Sequence, residues 1–528
     1  MKSRQSFVVM IDVGMSNGGT PPRLSTTSMG SRLVLQPGMT TKLVVGNDVL
    51  FVAEVRSRMA EVRVLDIRQR YISTKNGRTS QVRESQSLGL GIRVIAGGGW
   101  GFASTDALTH ADVDRASALA VEIARASALT KKHDVHLVPE KKLVDHWAAP
   151  CRIDPFSIPV SSCLELLLKI DSEMRQVPGV TLAEGSMDFR RIEQLFLSSL
   201  GSEIYQLKTQ TGTGFVATSF AGTEIQRRSY PNSFGGQYQT KGYELVDELN
   251  LLENARRVAE ESVALHKADQ CPSGEKDIIL DSSQLGLQIH ESIGHPIELD
   301  RVLGTEANFA GMSFLTVDKL NHLKYASDIV NVVADATPAH GPGLGTFAYD
   351  DEGVPAQCTP IIKDGLFVGY LSSRETASAV GLQRSSGSMR AESWNRIPLI
   401  RMTNVSILPG TWKPEDLIAD TDDGIYMETN RSWSIDDRRY NFQFGTEIGW
   451  EIRGGKKTRM LKNPSYGGIT TDFWNSCDAI CGPEYWTLWG TPNCGKGQPM
   501  QVMGTGHGAS PARFRKVKVG VAYPESSG

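Results

Sequence analysis

The stretch Gln288-Ile289-His290-Glu291-Ser292-Ile293-Gly294-His295-Pro296 carries two histidines, with a glutamate directly after the first. Two neutral imidazoles can hold a zinc ion, and a carboxylate beside the first can take a proton from water at that ion. In the familiar zinc-protease pattern the histidines stand four residues apart on one helical face. Here they stand five apart, and five steps of about 100° turn roughly 140° around a regular helix. An ideal helix therefore cannot present both to one metal. The bland alternative is a pair of ordinary histidines, each satisfied near a helix terminus, and the pattern alone does not choose between the two.

The flanking residues offer a way for both to reach a metal. Lys276-Asp277-Ile278-Ile279-Leu280-Asp281 reads as a buried strand, and Ser282 or Ser283 as the N-cap of a helix after it. Leu285, Ile289 and Ile293 recur at every fourth position and face the core. Gly294 ends the helix, and Pro296 disfavours the α conformation at His295. His290 and Glu291 then ride on the helix, while His295 lies just past its end or on a π-type turn.

A catalytic zinc keeps three protein ligands and one open position. The third ligand is open among the remaining His, Cys, Asp and Glu residues. Cys477 and Cys481 are spaced C-x-x-x-C, and Cys494 stands in the glycine-rich turn from Gly490 to Pro499. From spacing alone each of these reads as an ordinary thiol. His133, His136 and His146 crowd a lysine-rich, loop-like stretch that reads as a solvated linker.

Composition narrows the classes. At 528 residues the chain is long enough for two or three domains, and 40% hydrophobic with 22% charged residues is the balance of a soluble globular protein. A net charge of −3 gives no electrostatic case for a nucleic-acid partner. No apolar run approaches the length of a membrane span. Met1 to Val13 makes a poor secretion signal, and seven cysteines without regular spacing suit a reducing compartment, so a cytoplasmic location is expected.

Along the chain, residues 1–45 are rich in Gly, Ser, Thr and Pro and read as a flexible lead-in. An N-terminal α/β domain is expected over 46–135. Within it, Leu50 to Ile72 reads as a strand pair, or a short helix then a strand, and Ser87 to Ser104 as a hairpin. Its glycines lack the following Lys-Ser/Thr of a phosphate loop. Thr109 to Leu129 reads as a helix capped by Thr109, with Asp112 three residues on. A middle α+β segment follows over 136–270, with helices from Ser161 to Arg175 and from Val246 to His266 around strands. The turn cluster Gln270-Cys271-Pro272-Ser273-Gly274 then opens a strand-rich domain over 271–528.

Several motifs in order resemble the TldD/PmbA family, and within it the metal-binding TldD-type members, from about Tyr71 to Gly520. They are Gly89-Leu90-Gly91-Ile92-Arg93-Val94 with Gly101-Phe102-Ala103, the histidine stretch with Glu298 and Asp300, and Asp350-Asp351-Glu352-Gly353. Arg401-Met402-Thr403-Asn404 with Pro409-Gly410, and Cys494-Gly495-Lys496, complete the set. The resemblance implies His290, His295 and Cys494 as zinc ligands and Glu291 as general base. It implies a zinc peptidase acting on short or unfolded peptides, paired with a PmbA/TldE-type subunit or with its own copy. The chain departs from the family at Pro296, where glycine is usual, around Trp474 to Trp489, and over its first 45 residues. Tyr349, His340 and His507 are candidate donors to the oxyanion, and Asp350 to Glu352 either line the cleft or form an acidic turn. A non-peptidase zinc amidohydrolase and a regulatory partner subunit are the rival readings. The expected fold is α+β, an N-terminal α/β portion followed by a strand-rich, barrel-like C-terminal domain.

Overall fold

The computed structural model describes the side chains of residues 59–520, and the expected lead-in over 1–45 lies outside the described residues. Strand pairing sorts the chain into two large sheets. In the first, Met59–Lys75, Arg78–Ala96 and Gly99–Thr105 run as an antiparallel meander. Val180–Ser198 pairs antiparallel with Met59–Lys75 on one side and with Glu203–Ala221 on the other. Val144–Ala148 adds an edge strand parallel to Glu203–Ala221. The expected hairpin is therefore present, and the described part of the Leu50–Ile72 region is one continuous strand. Strands from before and after residue 135 share this sheet, so the division expected there falls inside it.

Helices close the sheet because their small or apolar faces fit it. His110–Thr130, with Thr109 accepting from the Asp112 N–H, lays Val113, Ala116, Ala120 and Ala124 against Leu90, Ile92 and Val94. Val160–Arg175 and Leu251–Ala264 pack Leu167, Ile170, Met174 and Val258 onto Ile72, Met187, Phe189 and Phe215.

The second sheet curls into a closed five-stranded barrel. Gly274–Leu280 lies parallel to Asp423–Ile435 and antiparallel to Ala512–Val519, and Ser465–Ile469 and Asn441–Arg453 complete the ring. Phe442, Phe444, Tyr466, Phe473 and Phe514 fill one core with the apolar residues of the Ser282–Ile289 helix. With 23% helix and 44% strand the chain is α+β, as its sequence led us to expect. Among the described residues no helix is long and apolar enough to cross a membrane. All seven cysteines are free thiols.

The two parts meet through the glycines of the first family motif. A Cβ on Gly89 would stand 2.4 Å from the Trp394 ring, and one on Gly91 2.3 Å from the Trp394 carbonyl oxygen. Beside them, Arg93 donates to Glu61 at 2.9 Å and to Glu352 at 2.9 Å.

Candidate metal centre

The strand Gly274–Leu280 delivers the chain into a helix, Ser282–Ile289, whose residues from Ser283 onward are all buried. Its N-cap is Asp281 rather than either serine, and the carboxylate accepts from Ser283 N and Gln284 N at 3.0 Å each. A carboxylate at this position also meets the positive end of the helix.

From His290 to Gly294 the helix widens into a π turn. The His295 N–H donates to the His290 carbonyl at 3.1 Å, an i to i+5 bond. That one change answers the spacing problem, because the wider turn brings a residue five along back toward the same face. The imidazoles end 4.9 Å apart, centre to centre, and nearly perpendicular. His295 sits in the α region (φ −68°, ψ −41°), against the expectation from Pro296, and its bond to His290 holds it there. Gly294 is needed for close approach, since a Cβ would fall 2.1 Å from Met402 Sδ.

Cys494 arrives from the far end of the chain. It lies within the strand Thr487–Lys496, paired to Met503 of Gln501–Ala509 just after a register shift, and not in a tight turn. Arg401 clamps its carbonyl with a 2.5 Å hydrogen bond. Two residues on, Lys496 is fully buried and donates to Asp300 at 2.7 Å and to the Ile400 carbonyl at 2.6 Å. These bonds lock the Cys494 strand onto the segment that follows His295.

Ligand atoms of His290, His295 and Cys494 all lie within 4.8 Å of one another, and all three residues are buried. Their neighbours fix which nitrogen is open. His507 Nδ1–H donates to the Val405 carbonyl at 3.1 Å, so its Nε2 is an acceptor. It takes the His290 Nδ1–H at 2.7 Å, which leaves His290 Nε2 with its lone pair. His295 Nδ1–H donates to Glu298 at 3.0 Å, leaving His295 Nε2, which stands 3.8 Å from Cys494 Sγ. Orientation of ligating imidazoles by such partners is the usual arrangement at metal sites. Burial lowers the pKa of both histidines, that of His295 well below the usual value. Burial alone would raise the Cys494 thiol, but His295 and the Arg401 guanidinium outweigh it, and the net shift is downward. Two imidazoles and a thiol inclined to ionise are a donor set that suits zinc.

These residues open on a cavity of about 260 Å³, which Glu291, Phe234, Trp433 and Arg439 also line. Glu291 Oε2 accepts from Arg439 Nη1 at 2.9 Å. Of the three oxyanion candidates none lines this cavity. His507 stands behind His290, Tyr349 donates to Asp145, and His340 pairs with Asp335 at 2.6 Å. Asp350, Asp351 and Glu352 are buried and committed elsewhere. Asp350 accepts from the Glu352, Val354 and Met389 N–H groups, Asp351 from Arg63 and Gln194, and Glu352 from Arg93 and the Arg374 N–H. Cys477 and Cys481 are buried thiols whose pKa burial pushes up, in the case of Cys481 to about 12. His133 and His136 lie outside strands and helices, and His146 stacks on Tyr205. None of these joins the cluster.

The chain is similar to known proteins over most of its length. A family profile described as "PmbA/TldA metallopeptidase C-terminal domain" matches residues 273–520, and one described as domain 1 of the same metallopeptidases matches residues 60–124. A metalloprotease from Methanothermobacter thermautotrophicus is 30% identical over 473 residues, covering 89% of this chain and 97% of its own. The chain belongs to the TldD/PmbA family of metallopeptidases. A metalloprotease TldD homolog from Buchnera aphidicola is 26% identical, covering 85% of this chain and 89% of its own. The crystal structure of a Thermotoga maritima protein described as a modulator of DNA gyrase has the same fold. Its TM-score is 0.69 at 16% identity, over 87% of this chain and 96% of that one. In this TldD/PmbA protein the residue that sequence reasoning missed is Arg439. It lies on a hairpin turn 148 residues beyond Glu291, and neither spacing nor residue type marks it.

Proposed function

We propose that this TldD/PmbA metallopeptidase is a zinc-dependent peptidase that hydrolyses short or unfolded peptides, with Glu291 as general base. The observation that carries the reading is the convergence of three buried ligand atoms, two of them oriented from behind, and one carboxylate on a single cavity. A zinc ion held by His290, His295 and Cys494 would act as a Lewis acid at the peptide carbonyl and bring the pKa of water toward about 7.

The protein's own groups perform the remaining steps. Glu291 Oε2 is held by Arg439, and Oε1 is left to accept a proton from the attacking water. As the water oxygen bonds to the carbonyl carbon, the C=O electrons move to oxygen. When they return, the C–N bond breaks and Glu291 passes its proton to the leaving nitrogen. The reading extends to a second subunit, either a PmbA/TldE-type partner or a copy of this chain.

The test is Glu291→Gln, assayed on quenched-fluorescent unstructured peptides with elemental analysis alongside. The amide keeps the shape but cannot take a proton. The variant is expected to hold about one zinc per chain and to lose about 100-fold to 10,000-fold in turnover. Near-normal turnover with zinc bound would overturn the assignment, as would wild-type hydrolysis that survives a chelator.

A further inference from the structure

The family reading leaves one chemical need unmet, a donor for the negative charge that gathers on the carbonyl oxygen. Such a donor must line the cavity, carry N–H groups not already committed, and be held in place before the substrate arrives. His507, Tyr349 and His340 fail the first condition.

Arg439 meets all three. It projects from the turn between the barrel strands Asp423–Ile435 and Asn441–Arg453, and its side chain is only 15% exposed. Nη1 serves Glu291, while Nε is buried without a partner. An arginine offers five donors in a planar fork, so one bond to Glu291 leaves others to give. A buried N–H with nothing to bond costs free energy, and such a group calls for an explanation. Arg439 as a whole is among the residues that line the cavity with the three candidate ligands, so its uncommitted donors stand beside that cavity.

The backbone supports the same view. Arg439 has a φ of +64°, a left-handed conformation that favours glycine or asparagine. Strain of this kind costs of order 1–3 kcal/mol and persists only where the surroundings enforce it. They do so on both sides of the turn. Met312 N–H donates to the Asp437 carbonyl and Phe314 N–H to the Arg438 carbonyl, each at 2.9 Å, while Thr470 Oγ1 donates to the Arg439 carbonyl at 3.0 Å. The Tyr440 N–H donates to Asp436 at 2.7 Å and closes the turn. The result is a guanidinium set in place by the fold and not by the substrate.

We propose that Arg439 is a catalytic residue, donating to the scissile carbonyl oxygen as it becomes anionic while Nη1 holds Glu291 in place. This rests on the peptidase reading above. The electrons that move from the C=O bond to oxygen gather opposite the Arg439 donors and return to carbon as the C–N bond breaks. Arg439 keeps its proton throughout, and the proton that moves is the one Glu291 carries.

The experiment uses the full chain loaded with zinc and compares wild type with Arg439→Gln and Arg439→Gly. The glycine variant relieves the positive φ and guards against a misfolded turn. Removing an oxyanion donor typically costs about 100-fold to 1,000-fold in kcat. The expected result is a loss of that size in kcat, with KM changed by less than about threefold and zinc content unchanged. Calorimetry should show a phosphinic peptide, which mimics the tetrahedral oxyanion, losing affinity by a similar factor. Free guanidinium should restore part of the activity of Arg439→Gly, which a purely structural role does not predict. An Arg439→Gln enzyme within threefold of wild-type kcat would overturn the proposal, and so would a loss confined to KM. If C-terminal amidation of the peptide removed the effect of the substitution, Arg439 would be reading a terminal carboxylate, and the proposal would fail. Absence of wild-type hydrolysis would sink the peptidase reading itself, and this inference with it.

Discussion

Two of the buried polar clusters among the described residues differ in what their atoms are left to do. Around Arg93, the carboxylates of Glu61 and Glu352 and the guanidiniums of Arg93 and Arg374 pair with one another where the first sheet meets the C-terminal part. The Asp350–Glu352 turn closes on its own backbone and on Arg63. Around His290 the pairing is one-sided. His507 and Glu298 occupy the rear nitrogens of the two imidazoles, while the opposite nitrogens, the Cys494 thiol and one oxygen of Glu291 face a cavity. Burial and charge are common to both. A cluster whose polar atoms pair inward joins two parts of a fold, and a cluster held from behind with its front atoms uncommitted is prepared for a ligand.

The sharpest way to break this contrast is to remove a front atom. Cys494→Ser replaces a soft, ionisable ligand with a neutral hydroxyl. If one ligand carries about a third of the ~10–16 kcal/mol seen for tight zinc sites, the loss is roughly 3–5 kcal/mol, enough to strip the metal during purification. Elemental analysis is expected to show zinc lost in Cys494→Ser and kept in Cys477→Ser and Cys481→Ser. Retention in the first with loss in either of the others would assign the site to the C-x-x-x-C pair.

Removing a member of the inward-paired cluster should do the reverse. Glu352→Ala leaves Arg93 with one carboxylate where it had two, and Arg374 N–H without its acceptor. Breaking a buried pair in this way costs about 3–5 kcal/mol. Denaturant unfolding should show that loss, while the folded variant should bind zinc as the wild type does. A large fall in zinc affinity at unchanged stability would mean the two clusters are not separable.

How much of this was legible in the sequence follows from the range of each interaction. The helix read over Thr109 to Leu129, the hairpin read over Ser87 to Ser104 and the strand read over Lys276 to Asp281 are set by nearby residues, and the structure has each, with the first hairpin strand reaching back to Arg78. The N-cap falls on Asp281, one residue ahead of two serines that local pattern favours as well. The π turn could be named only as one of two options, since it depends on the bond from His295 to His290 and on Met402 seated against Gly294. Cys494 was reached through a family motif and not by spacing, and its strand is placed by Arg401, Lys496 and Asp300. Arg439 left no local trace, because what makes it matter is a turn held by two distant segments.

The smallest effect expected is also the one that tests the idea of support from behind most directly. His507 touches no open atom of the cluster. Its role is to accept the His290 Nδ1–H, and it can accept only because its own Nδ1–H is given to the Val405 carbonyl. His507→Phe keeps a flat ring in the same buried space and removes the acceptor. His290 then has only Thr505 Oγ1, at 3.5 Å, to hold its tautomer. Loss of such a partner typically weakens metal binding about 10-fold to 100-fold. Competition with a chromophoric chelator should show a fall of that size, with zinc still binding at saturating concentration and the fold intact. An unchanged affinity would mean that the buried pocket alone orients His290, and that the difference between the two clusters lies in the front atoms only. A loss as complete as that in Cys494→Ser would mean instead that His507 is itself a ligand, which would require the chain from His290 to Val405 to rearrange around the ion.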